Sequence, residues 1–350
     1  MVVLEKGMPA IQLGFAEVPE EPLTYSLDDY PNKIGGKPFW LNPSKYLSWT
    51  DVVCSVCNKV MVLLVQFYTP EDEPPEAYHR VIYLFCCRDG KCHKTDWKGC
   101  FKVYRSQLGE WNPYYNPGEG MQVDSVQAPQ CTVCGLEAPK TCSKCKKVHY
   151  CCREHQLVDW TGGHKAICGT DKNTIPSTTH LFPEFELVSE DEPEAEPVPT
   201  SIPTLPTPDT TSEQHQEEYE ETSVDVDKPF LKFQKRISRS PSQVIRYARV
   251  SYSTDPTPLY VASTLPPPIP PCPCCNQPRT FEFQVMPQML NVLDINHYDE
   301  HALDWGTVIV YSCAGNCWGE EVFREEVVWR QMFSEEGMGD AARRALEGKA

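Results

Sequence analysis

Apolar and polar positions along this chain sort into three kinds of stretch. Val60 to Tyr68 (VMVLLVQFY) and Arg80 to Cys86 (RVIYLFC) are near-continuous apolar runs of strand length, separated by Pro- and Glu-rich turn residues. Thr280 to Met286 and Thr307 to Ser312 repeat that pattern near the other end, and all four runs are predicted strands. Residues 228–249 read as helical, and Ser240-Pro241-Ser242-Gln243 fits a helix start with Ser as N-cap, Pro at the first position and Gln reaching back. Between these regions lie a dense Cys/His block, residues 131–168, and a stretch without apolar periodicity, residues 184–227. The pattern as a whole predicts an α+β protein that is mainly β.

Charge changes the picture in one place. Of the net −17, −15 falls between Glu184 and Asp227, where fifteen acidic residues meet no Lys or Arg, leaving −2 for the rest. Six prolines and many Ser and Thr share that stretch. Too few of its side chains can enter a core to repay conformational entropy, so it is expected to be a disordered acidic linker. It serves either as a solvated spacer or as an arm that attracts or masks a basic partner. A direct nucleic-acid binder ordinarily has the opposite sign, so none is expected. No apolar run approaches the 18–20 residues or so of a membrane span. Met1 to Phe15 has no apolar core, so it does not read as a secretory signal.

Eighteen cysteines in such a chain point to metal before disulfides. The first and last segments share a plan that suggests a diverged internal repeat. Cys54-x2-Cys57 precedes a strand containing Gln66, and a second strand runs into Cys86, Cys87 and Cys92. Cys272-x2-Cys275 precedes a strand containing Gln284, and a second strand runs into Cys313 and Cys317. Such an arrangement suits a zinc ribbon, although the second knuckles are irregular; buried structural thiols without metal are the alternative. Sequence leaves open whether Cys54, Cys57, Cys87, Cys92 and Cys272, Cys275, Cys313, Cys317 hold zinc.

The strongest motif is C-x2-C-x7-C-x2-C-x5-C-x3-H-x8-H-x3-C, made by Cys131, Cys134, Cys142, Cys145, Cys151, His155, His164 and Cys168. Eight soft ligands make two closed tetrahedral sites, and thiolate with imidazole selects Zn²⁺. So short a block cannot bury enough apolar surface to fold alone, so metal supplies folding energy. Four protein ligands leave no open position, which makes the sites structural. These residues resemble the MYND zinc finger, whose ending is matched by Tyr150-Cys151, His155-Gln156, Asp159-Trp160 and His164-Lys165 with Cys168. The resemblance implies two interleaved zinc ions, one on Cys131, Cys134, Cys151 and His155, the other on Cys142, Cys145, His164 and Cys168. His155 stands where most members have Cys, and the adjacent Cys152 is a geometrically poorer competitor. The resemblance also implies binding of proline-rich peptides near Gln156 and Trp160; Trp160 packing the small core is the alternative.

Outside the finger, Ile11–Ala16 (IQLGFA), Asn32–Leu41 (NKIGGKPFWL), Phe182–Glu186 (FPEFE), Phe281–Gln288 (FEFQVMPQ) and Asp304-Trp305-Gly306 resemble the programmed cell death protein 2 family. The resemblance implies one bipartite β-rich domain, from residues 1–125 and 228–350, with the finger and the linker 184–227 inserted. It implies a dedicated chaperone for a basic small-subunit ribosomal protein in 40S biogenesis, found in cytoplasm and nucleus. The residues have their own logic: Gly35-Gly36 supplies a positive-φ turn, and Phe39, Trp40 and Leu41 either seal the core or present a client-binding patch. Unpaired strand edges could hold an extended client by strand addition.

A MYND-dependent transcriptional adaptor that recruits corepressors through proline-rich peptides is the alternative function. An enzyme is not expected: there is no Gly-rich nucleotide loop, nucleophile elbow or HExxH helix. Cys54-x2-Cys57 lacks the βαβ setting of a thioredoxin-like redox pair.

Overall fold

A computed structural model of the chain describes residues 11–19, 30–116, 120–121, 127–170, 180–193, 228–248, 257–296 and 298–333. Among these residues eleven strands form one antiparallel sheet that curls until its two ends nearly meet. In chain order they are β1 (Gln12–Glu17), β2 (Lys33–Ile34), β3 (Val62–Tyr68), β4 (His79–Cys86), β5 (Phe101–Leu108) and β6 (Phe185–Asp191). β7 (Ile245–Tyr247), β8 (Arg279–Val285), β9 (Thr307–Cys313), β10 (Phe323–Glu325) and β11 (Val327–Gln331) complete it. The spatial order is β10-β5-β4-β3-β2-β6-β1-β7-β8-β9-β11. β10 and β11 are separated in the chain only by Glu326, so the two ends of the sheet are held together by one buried residue. Among the described residues no helix is long and apolar enough to cross a membrane.

The suspected repeat is visible in the strand register. Lys33, Gln66, Tyr83 and Tyr104 form one rung across β2 to β5. Arg246, Gln284, Ile309 and Trp329 form the matching rung across β7, β8, β9 and β11. A bulge falls two residues before each glutamine, between Leu63 and Val65 and between Phe281 and Phe283. Both glutamines are buried and tie a loop to the sheet: Gln66 accepts from the Phe39 amide at 2.8 Å, and Gln284 accepts from the Leu259 amide at 2.7 Å. The halves also exchange strands. β1, from the N-terminal side, pairs with β7, whereas β6, from beyond the finger, pairs with β2.

Two sequence expectations need correction. The acidic stretch does not begin as a linker, because Phe185–Asp191 is a strand at the middle of the sheet. Its flanking carboxylates meet buried cations, one from each half. Glu184 pairs with Lys33, and Glu192 pairs with Arg246 at 2.9 Å and with Arg236. Burial opposes ionisation of Glu192, but the two guanidinium groups outweigh it and hold the carboxyl below its ordinary range. Residues 194–227, the rest of the expected linker, lie outside the described residues.

The second correction concerns Ser240. The helix runs only over Lys228–Ile237, burying Phe233 against Val261 and Met286. Ser240 lies in the turn that ends it, donating its amide to the Ile237 carbonyl at 2.9 Å, and the chain turns into β7. Pro241 stops one helix rather than starting another. Val244 and Ile245 are recruited as core residues of the sheet.

The Gly35-Gly36 turn is as expected, with φ of 62° and 64°. A Cβ on Gly35 would lie 2.1 Å from the Pro183 carbonyl oxygen, so the chain returning from the finger needs glycine there. Trp40 and Leu41 are buried and seal the core, and Phe39 is half-buried. The strings behind the family resemblance thus supply β1, the β2 turn, the start of β6, β8 and the fully buried Trp305, whose Nε1 donates to Met286.

Among the described residues, two buried ion-pair groups join the halves. Arg80 of β4 makes a bidentate pair with Glu282 of β8, both contacts at 2.8 Å, and also donates to Ser312 at 3.0 Å. Glu282 is the bulge residue, which turns its carboxylate to face the other half. Glu326 receives Arg105 of β5 and Arg279 of β8, each at 2.8 Å. Geometry this complete is needed to offset the desolvation of such charges.

Candidate metal centre

The finger's eight donors converge as two groups. Cys131, Cys134, Cys151 and His155 form one, Cys142, Cys145, His164 and Cys168 the other, with the donor atoms of each within 4.8 Å of one another. The first pair of cysteines comes from a turn in which the Gly135 amide donates to the Cys131 carbonyl at 2.8 Å. Cys151 follows the short strand His149–Tyr150, and His155 lies one turn into the helix Arg153–Asp159. The second pair comes from a like turn closed by Lys146, and His164 and Cys168 flank the short helix Lys165–Ile167.

Distances fit a tetrahedral ion and exclude disulfides. Cys134 and Cys151 sulfurs are 3.6 Å apart, and Cys142 and Cys168 sulfurs 3.7 Å. A tetrahedron with Zn–S bonds of about 2.3 Å has edges of about 3.8 Å, whereas a disulfide measures about 2.05 Å. His155 turns Nδ1 toward Cys131 and Cys151, at 3.7 and 3.1 Å. His164 turns Nε2 toward Cys142 and Cys145, at 3.4 and 3.7 Å. No disulfide joins any of the eighteen cysteines. Cys152 stands outside the group as the N-cap of the helix, its sulfur accepting from the His155 amide at 3.4 Å.

Sequence reasoning missed two features around these donors. One is His180, whose Nε2 lies 3.2 Å from Nε2 of His155 and fixes that ring from behind. The other is how firmly the first knuckle is docked. Trp40 Nε1 donates to the Gly135 carbonyl at 2.7 Å, Lys37 to Thr132 at 2.5 Å, and the Glu137 amide to Leu47 at 3.0 Å. Val133, Leu136 and Ala138 belong to the main core, whereas the second knuckle forms a separate small cluster with Tyr150. Trp160 is half-buried in that second cluster, its ring centroid 5.8 Å from that of His164. Gln156 is half-buried on the preceding helix, and Leu157 between them is exposed.

The two outer cysteine sets also converge. Cys54, Cys57, Cys87 and Cys92 make one group beside the β3–β4 hairpin, and Cys272, Cys275, Cys313 and Cys317 another beside the β8–β9 hairpin. Cys86 and Cys274 stand outside the groups.

Comparisons with known proteins agree with this layout. Residues 10–122 match the programmed cell death protein 2 N-terminal domain, residues 227–332 its C-terminal putative domain, and residues 131–168 the MYND finger. Programmed cell death protein 2 of Bos taurus is 36% identical over 351 residues, covering 93% of this chain and 97% of that one. Programmed cell death protein 2-like of Mus musculus is 26% identical over 338 residues, 82% of this chain and 85% of its own. A Schizosaccharomyces pombe protein named probable 20S rRNA accumulation protein 4 is 33% identical over 114 residues, 29% of this chain and 26% of that one. No solved structure matches. The MYND finger is a zinc-binding, protein-interaction domain, and its donor set here suits zinc. With both terminal domains and the finger in place, and with that identity over nearly its whole length, the chain belongs to the programmed cell death protein 2 family.

Proposed function

We propose that the chain is a non-catalytic holder of a basic small-subunit ribosomal protein during 40S assembly, working in cytoplasm and nucleus, with two structural zinc ions in its finger. The observation that carries this reading is the relative named for 20S rRNA accumulation, a name that ties that protein to ribosomal RNA. Charge gives it a physical basis. The run of −15 within residues 184–227 would attract a cationic client and compete with nonspecific RNA contact. Residues 194–227 carry most of that charge, since Glu184 and Glu192 are already spent on internal cations. Strand addition draws less support than the sequence suggested, because the sheet's end strands are three and five residues long and lead into one another at Glu326.

A second reading, an adaptor that takes proline-rich peptides on its finger, is favoured by exposed Leu157 between half-buried Gln156 and Trp160. Capture from cell extract with the full chain, read by mass spectrometry, separates the two. The holder reading expects a small-subunit ribosomal protein as chief partner, retained when Trp160→Ala blunts the finger. Deleting residues 195–225 is expected to weaken that capture at low salt and to flatten its salt dependence. A chief partner that is a proline-rich nuclear protein, lost with Trp160→Ala, would establish the adaptor instead.

A further inference from the structure

We propose that the two outer four-cysteine groups are structural zinc sites, one beside a hairpin of each half of the large sheet, so that the chain carries four ions rather than two. The inference is independent of the client. In the N-terminal group Cys57 and Cys87 sulfurs are 3.8 Å apart. In the C-terminal group Cys272 and Cys317 sulfurs are 3.5 Å apart, and Cys275 and Cys313 sulfurs 3.4 Å. These are spacings of thiolates around a common centre, not of disulfides or of scattered core thiols.

Backbone geometry is the second observation. In each of the four C-x2-C turns, the amide four residues after the first cysteine donates to that cysteine's carbonyl. The donors are Asn58 and Asn276 in the outer groups, both at 2.9 Å, and Gly135 and Lys146 in the finger, at 2.8 and 3.0 Å. All four donors have positive φ: 56°, 57°, 78° and 59° respectively. One of the four is glycine and two are Asn, the residues that enter the left-handed region most readily, and only Lys146 does so at a cost. A turn that points two sulfurs at one spot is therefore built the same way in the outer groups as in the zinc finger. Sequence offers a faint sign of it, Asn directly after the second cysteine in both outer turns.

The position within the repeat is the third. Cys87 follows by four the residue opposite Gln66, and Cys313 follows by four the residue opposite Gln284, so the two sites occupy equivalent places. Each would pin the opening turn of its hairpin to the end of the next strand, where the short strands of a ribbon need a clamp. Four thiolates on one Zn²⁺ leave a net charge of −2, and Arg105 of the opposite half lies 3.7 Å from Cys317 Sγ, donating also to the Cys317 carbonyl at 3.2 Å. A fifth thiol, Cys100, approaches Cys54 to 3.9 Å but donates to the Asp96 carbonyl at 3.3 Å, which leaves Cys92 as the fourth ligand.

Zinc counting on the intact full-length chain, joined to X-ray absorption at the zinc edge, tests the proposal without any variant. Four ions with fourteen thiolate and two imidazole ligands among them are expected. Two ions, each with three thiolates and one imidazole, would overturn it. Cys317→Ser is expected to lower the count by one, while Cys274→Ser and Cys100→Ser leave it unchanged. A count that Cys317→Ser does not alter would remove the C-terminal site, and a count that falls with Cys100→Ser would contradict the N-terminal ligand set.

Discussion

Cys134→Ser will release one zinc ion from the finger and loosen far more than the finger itself. Zinc in small finger domains supplies about 10–16 kcal/mol of apparent folding energy, and losing one thiolate forfeits a large part of it, on the order of 5 kcal/mol. Cys134 is buried, and its knuckle neighbours Val133 and Leu136 lie in the main core, not in a separate module. When that knuckle opens, Trp40 loses the Gly135 carbonyl, and the tilted contact of Trp40 with Tyr83, centroids 4.9 Å apart, loses its cover. Native mass spectrometry should find one ion fewer than in the unaltered chain, and the thermal melt should fall and broaden. An unchanged metal content would contradict the ligand assignment. An unchanged melt with the ion lost would mean that the finger is not docked.

Glu282→Ala will cost about 3–5 kcal/mol, because it removes the bidentate carboxylate from the buried Arg80 guanidinium. Arg80 and Glu282 are both essentially inaccessible, and Ser312 and Thr69, which also bond the Arg80 guanidinium, are neutral. Replacing both residues together, Arg80→Met with Glu282→Leu, removes the charge as well as its partner and is expected to cost far less than the single change. Chemical denaturation of the three variants reads the difference directly. If the double variant is as unstable as Glu282→Ala, the pair is not the link between the halves that its geometry implies.

The parts of the molecule that sequence revealed are those whose signal is local. Val62 to Tyr68 and His79 to Cys86 are apolar enough to be strands anywhere, and buried strands are what they became. The grouping of the finger's eight donors follows from spacing within a short window, and one turn of helix after Cys151 places His155 beside it. What sequence hid depends on residues far apart. Glu184 looks like part of a solvated acidic run until Lys33 is seen beside it, 151 positions away. Arg80 and Glu282 each look like a lone charge in an apolar strand, and 202 positions separate them. A charge inside a run such as RVIYLFC or FEFQV was the available signal, since it must find a partner if the strand is buried. Ser240 misled in the opposite sense. Its capping pattern is locally sound, but the residues after it pair with β1 and β8 on either side, and sheet formation overrode the local preference.

Solubility of a purified basic small-subunit ribosomal protein at physiological ionic strength, with and without an equal amount of this chain, tests the holding role most directly. The expected result is that the ribosomal protein, which precipitates alone or with added RNA, stays in solution and co-elutes with the chain. If it precipitates to the same extent and the chain elutes by itself, the chain is not its holder, whatever its relatives do.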